Sequence, residues 1–126
     1  MGFWLTMLIC DLSVPLIMIF GGLMMYRHPP KKINGVYGYR TSRSMKNMQT
    51  WWFAHRCCGR LWQRLGVVLL VLTIAAMAAL ARSDMQLVGI LTVVVLGVQM
   101  IALFASIFKV EAELKLNFDE QGNPKN

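Results

Sequence analysis

The chain has 126 residues, 56% of them hydrophobic, a mean hydropathy of +0.50 and a formal net charge of +7. That apolar share exceeds the roughly 45–50% of soluble domains, which excludes an ordinary water-soluble fold, and the length has room for one domain. Nine of the basic residues fall between Arg27 and Arg64 with no acidic residue among them. They lie beside long apolar runs, where anionic lipid headgroups are nearer partners than nucleic acid, so direct nucleic-acid binding is not expected.

A hydrocarbon core of about 30 Å needs roughly 20 apolar residues per helix. Three segments meet that need, at about 3–26, 65–81 and 87–108, and they predict an all-α membrane protein with three transmembrane helices. The first lacks a basic leader and a small-x-small cleavage site, so it reads as a span and not as a signal peptide. Tyr26, Arg27 and His28 form an aromatic and basic stop, and Pro29-Pro30 prevents the helix from continuing. Basic loops resist translocation, so residues 27–64 are expected in the cytoplasm and the N-terminus outside.

From Ser44, a candidate N-cap, the pattern turns helical. Met45, Met48, Trp52 and Cys58 or Gly59 fall along one side, and Lys46, Gln49, Phe53, Arg56 and Arg60 on another. With Trp51, Trp52 and Trp62 as ring anchors, this suits an amphipathic helix lying in the headgroup layer before the second span; the alternative is a simple extension of that span. Only Arg82 to Gln86 join the second and third spans, which therefore form an antiparallel hairpin. The tail, 109–126, is expected in the cytoplasm, helical to about Leu116 and broken near Gly122 and Pro124.

Asp11 is the only acidic residue inside a span, and an unpaired charge at the bilayer centre costs roughly 2.5–3.5 kcal/mol. With Thr73, Thr92 and Gln99 it is positioned to form a polar cluster in a three-helix bundle, either as interhelical glue or as a functional site. Pro15, one turn on, leaves the Asp11 carbonyl without its usual helical partner and predicts a local opening, for packing or for an ion or ligand. In the Gly38–Ser44 stretch, Arg40 and Arg43 alternate with hydroxyls and backbone amides, an arrangement able to hold an anion such as a phosphate headgroup. His28 and His55 lie in no metal-binding or catalytic pattern, and no motif calls for a cofactor or metal. Cys10, Cys57 and Cys58 show neither a disulfide framework nor zinc spacing, and read as packing residues.

The run Gly38-Tyr39-Arg40-Thr41-Ser42-Arg43-Ser44, followed by Trp51, Ala54, His55, Arg56, Gly59 and Gly66, resembles the signature of the SdpI family of bacterial membrane proteins. Glu111, Phe118, Asp119, Glu120 and Gly122 resemble its closing pattern. The resemblance implies a bacterial cytoplasmic-membrane protein of 1–126 as one domain, in the short three-helix form that matches the C-terminal half of longer members. The candidate ligand or headgroup site is Gly38, Arg40, Thr41, Arg43, Ser44, Trp51 and His55, and the intramembrane polar set read from their depth in the spans is Asp11, Thr73 and Gln99. The resemblance further implies an immunity or receptor role against a membrane-active peptide toxin, signalling to a cytoplasmic regulator, and the short form makes a homodimer attractive. Two other readings remain open: a small oligomeric transporter or proton-linked channel using Asp11 and Gln99, and a membrane enzyme using Arg40, Arg43 and His55 on lipid-linked substrates.

Overall fold

A computed structural model describes residues 2–35 and 38–125. Three helices follow one another: α1 (Gly2–Arg27), α2 (Met48–Ala79) and α3 (Met85–Asn117). Each is long and apolar enough to cross a membrane. They pack as an up-down-up bundle in which α1 lies most extensively against α2. The 28–47 loop marks the basic end of this bundle, and the α2–α3 turn marks its hairpin end.

The bundle turns apolar side chains outward as well as inward. Ile9, Ile17, Phe20, Val93, Ile101 and Phe108 are exposed, whereas Asp11, Thr73, Thr92, Gln99 and Ser106 are buried. The exterior suits lipid, and beside the apolar Met18, Trp51, Met77, Val110 and Leu114 the interior holds small and polar residues that allow close approach and bond across helices. At the α1–α2 contact a Cβ on Gly22 would lie 2.7 Å from the Gly59 carbonyl oxygen. A Cβ on Gly59 would lie 2.5 Å from that of Gly22, and one on Gly66 would lie 3.0 Å from that of Pro15. Three glycines thus form a seam along which the two backbones touch.

The basic stretch 48–64 is not a separate interfacial helix. It is the first half of α2, continuous with the span that follows. Its buried face runs through Trp51, Ala54, His55, Cys58 and Gly59, while Trp52 is exposed. The anticipated face is therefore turned by about one residue, because packing against α1 and α3 decides the rotation and not the headgroup layer.

The helix also starts three residues later than Ser44 suggests. Asn47 is the N-cap: its side chain accepts from the Thr50 amide at 2.9 Å, and the Thr50 hydroxyl accepts from the Asn47 amide at 3.1 Å. Ser44 is spent elsewhere, donating to the Tyr39 carbonyl at 2.9 Å and accepting from the Thr41 amide at 2.9 Å. Asp84 caps α3 through the Leu87 amide at 2.8 Å, which accounts for the acidic residue in that short turn. Beyond α3 the tail closes on itself around Asp119, whose carboxylate accepts from the amides of Gln121 and Asn123. Gly122, at φ +84°, then presents its carbonyl to the Asn47 side chain at 2.7 Å.

Candidate functional site

Two polar networks join the elements, one at the basic end and one within the spans.

At the basic end Trp51 and His55, one turn apart on α2, are fully buried. The Trp51 indole donates to the Pro30 carbonyl at 2.9 Å, fastening the chain just past α1 to α2. His55 Nδ1 lies 2.7 Å from the Trp51 carbonyl and Nε2 lies 2.9 Å from the Tyr39 amide. A carbonyl can only accept and an amide can only donate, so the ring is the neutral tautomer with its proton on Nδ1. Protonating Nε2 would set two donors against each other. Gly38 makes this approach feasible: its φ is +104°, and a Cβ there would lie 2.6 Å from His55 Nε2.

Tyr39, buried beside this ring, carries the network to α3. Its hydroxyl donates to Glu111 at 3.1 Å, with the Ile107 carbonyl a second acceptor at 3.4 Å. Burial first, and then the Glu111 carboxylate, raise the Tyr39 phenol above its ordinary pKa, so it remains a donor. Arg43 reaches the other Glu111 oxygen at 3.9 Å. Tyr39 and Glu111 link loop and α3 without having been singled out as binding residues by their residue types. The signal available was positional, since both lie within the stretches that carry the family resemblance.

The seven loop-end candidates therefore divide. Trp51, His55 and Ser44 are buried parts of one network, Gly38, itself exposed, leaves room for the His55 ring, and Thr41 exchanges hydrogen bonds with Ser44 in both directions. The Thr41 and Ser44 amides that were expected to face an anion are already bonded. Arg40 is exposed and donates to the Gly35 carbonyl at 2.6 Å, and Arg43 is half-exposed beside Glu111. Arg40, Arg43 and His55 do not converge on a common cavity, and both His55 nitrogens are occupied, which leaves that imidazole no free base for proton transfer.

Within the spans Asp11, Thr73 and Gln99 do meet, and Thr92 joins them. The Gln99 amide donates to the Asp11 backbone carbonyl at 2.8 Å and to the Thr73 hydroxyl at 3.0 Å. The first bond goes to the carbonyl that Pro15 strips of its helical donor, so one side chain of α3 repairs α1 and ties α2 in as well. Replacing Gln99 by leucine removes both bonds, and is expected to lower the stability of the detergent-solubilised protein by about 1–2 kcal/mol, read as a drop in its thermal midpoint. An unchanged midpoint would mean these bonds contribute nothing.

The Asp11 carboxyl is fully buried, and the Thr92 hydroxyl faces it. Yet both carboxyl oxygens, Thr92 Oγ1 and Gln99 Oε1 have no hydrogen-bond partner among the described residues. Oxygen atoms on α1 and α3 are thus sealed at the bundle centre with unused bonding capacity. The three cysteines are free: Cys58 is buried, Cys57 half-buried and Cys10 exposed. Among the described residues no group of metal-binding side chains occurs.

Comparison with known proteins bears on both networks. The family model described as the SdpI/YfhL protein family matches residues 31–109, a stretch that holds Tyr39, Ser44, Trp51 and His55 of the loop-end network, without Pro30 and Glu111, together with Thr73, Thr92 and Gln99. A Bacillus subtilis (strain 168) protein described as "Uncharacterized protein YfhL" is 31% identical over 109 residues, covering 86% of this chain and 89% of the relative. No solved structure matches. A loop built around Gly38, Trp51 and His55 and placed on three membrane-spanning helices, with a family match over more than half its length, makes this chain a member of the SdpI/YfhL protein family.

Proposed function

We propose that the protein is an immunity or receptor-type membrane protein, whose spans engage a membrane-active peptide and whose basic end reports that engagement to a cytoplasmic regulator. The single observation that carries this reading is the sealed Asp11 carboxyl, unpartnered at the place where Gln99 holds α1, α2 and α3 together. An unsatisfied polar group at a three-helix contact makes the resting arrangement costly, so a ligand that supplies the missing bonds in another arrangement shifts the balance. The Tyr39–Glu111 link supports the second half of the reading, since a displaced α3 would pull on the loop. On this reading the basic end lies in the cytoplasm of a bacterial cell, with α1 starting outside, in line with the positive-inside rule.

The test is survival of a toxin-sensitive bacterium expressing the chain during challenge with a secreted membrane-permeabilising peptide. Wild type is expected to protect, Asp11→Asn to lose most of the protection at equal membrane abundance, and Arg40→Ala, altered only at an exposed loop contact, to keep it. Equal killing with wild type, both variants and empty vector would remove the idea.

The same carboxyl favours one second reading, a proton-linked transporter formed by association of two or more chains. Proton uptake into liposomes holding the purified chain separates the two. Flux abolished by Asp11→Asn supports transport, and absence of flux leaves the receptor reading in place.

A further inference from the structure

A groove of about 830 Å³ runs between α2 and α3 at the basic end, and none of the Trp51, His55 and Tyr39 side chains lines it. Its apolar lining comes from Phe53, Cys57 and Leu61 of α2, closed at the tail side by Phe118, whose ring meets Phe53 edge-on at 5.3 Å. Five basic residues, Arg56, Arg60, Arg64, Lys109 and Lys125, edge it against one carboxylate, Glu113.

The three arginines stand four residues apart, on successive turns of one helix face, and make a ladder about 12 Å long. Their bonding is uneven. Arg60 lies over the Tyr26 ring at 5.5 Å, Lys109 reaches Glu113 at 3.8 Å, and Lys125 donates to the Lys115 carbonyl at 3.0 Å. Arg56 and Arg64 make no hydrogen bond or ion pair among the described residues.

The groove also sits at a defined level. Arg64 immediately precedes the apolar run that opens at Leu65, and Lys109 immediately follows the one that closes at Phe108. Cationic groups therefore mark the edge of the hydrocarbon on both walls. Beyond that edge the same two helices expose Val68, Phe104 and Phe108. A ligand matching this arrangement has a negative charge at the boundary and a long apolar part on the hydrocarbon side.

We propose that this groove binds an anionic glycerophospholipid of the adjoining leaflet, with its phosphate between the Arg56–Arg64 ladder and Lys109 and its acyl chains descending past Leu61 along α2 and α3. This site is separate from the Gly38–Ser44 loop, whose Tyr39, Thr41 and Ser44 amides are already bonded, and it does not depend on the proposed immunity role. Excess positive charge argues for a lipid over a second copy of this chain, because a second copy would bring the same cationic edge against its own.

Native mass spectrometry of the full chain in uncharged detergent tests the site, with phosphatidylglycerol, phosphatidylcholine or glycerol 3-phosphate added at equal concentration. One equivalent of phosphatidylglycerol should be retained, with phosphatidylcholine and glycerol 3-phosphate held at least about tenfold more weakly. Removing two surface cations by Arg56→Gln with Arg64→Gln should weaken phosphatidylglycerol about thirtyfold. The control pair Arg27→Gln with Lys31→Gln, which removes the same charge outside the groove at exposed positions, should change retention less than about twofold. Equal loss in both pairs would reduce the attraction to diffuse charge. Equal retention of phosphatidylcholine would reduce it to hydrocarbon contact, and retention of glycerol 3-phosphate would make it a soluble-phosphate site. A dimer that excludes lipid and is broken by the arginine pair would make the groove a chain–chain interface. Each of these four results overturns the proposal.

Discussion

Replacing Trp51 by alanine is expected to cost about 3–5 kcal/mol of stability, the range for removing a buried large aromatic. The side chain is fully buried, its ring lies 4.4 Å from that of His55, and its indole is the donor to the Pro30 carbonyl. Truncation would empty the space between α1's exit and α2 and orphan that carbonyl. It would also free the His55 ring to rotate away from the Tyr39 amide. Loss of the cooperative thermal transition in detergent, or a large fall in its midpoint, is the measurement. Trp51→Phe separates the two causes: most of the packing stays and only the hydrogen bond goes, so its penalty should be about 1–2 kcal/mol. Equal penalties for the two variants would assign the whole effect to the bond, and a negligible penalty for alanine would show that the basic end does not contribute to the stability of the bundle.

The second large effect is expected at Gly59, where valine should prevent assembly of α1 on α2. A Cβ there would lie 2.5 Å from the Gly22 carbonyl oxygen and 2.7 Å from the Tyr26 amide nitrogen. Both atoms belong to backbone and cannot swing aside. Overpacking of this kind costs about 1–3 kcal/mol or more even with a single added methyl, so alanine should be markedly destabilising and valine should yield little folded protein. The comparison is Gly97→Ala in α3, where an added Cβ would meet nothing within 4 Å. That variant should be neutral or stabilised by about 0.5–1 kcal/mol through helix propensity. Limited proteolysis and the monodisperse fraction after detergent extraction read all three. If Gly59→Ala and Gly97→Ala behaved alike, the glycine seam would not be a tight contact.

Hydropathy made the spans legible, because length and apolarity alone separate a membrane helix from other helices. The Pro15–Asp11–Gln99 relation was also open to reading: a proline removes the donor for a known carbonyl, and few polar side chains within the spans can replace it. The basic end was less legible. Trp51 and Trp52 are adjacent and identical in type, and only the neighbours of α2 decide which is buried. The Asn47–Thr50 cap was visible as a pair of polar residues three apart, but Ser44 competed with it on equal terms, and in the structure the Ser44 hydroxyl turns back to the Tyr39 carbonyl. Gly38 looked like a loop residue that brings amides to an anion, whereas its missing side chain makes room for an imidazole. A structural use and a binding use of the same residues leave the same mark in a sequence.

Two tryptophans give the bundle a mechanical character. The Trp4 indole donates to the Met77 carbonyl at 2.9 Å near the hairpin end, and the Trp51 indole grips the Pro30 carbonyl near the other. The glycine seam lies between these two bolts. Sliding α1 along α2 would disturb both bonds and press backbone against backbone at Gly22 and Gly59, so the pair is fastened at both ends and along its middle. By contrast α3 is joined through side chains: the buried Val88, Val110 and Leu114, and the hydrogen bonds of Gln99, of Ser106 with Trp62 and of Glu111 with Tyr39. α3 also continues past Phe108 to Asn117, so any tilt of it among the spans would be carried to Glu111, where it meets Tyr39 of the loop.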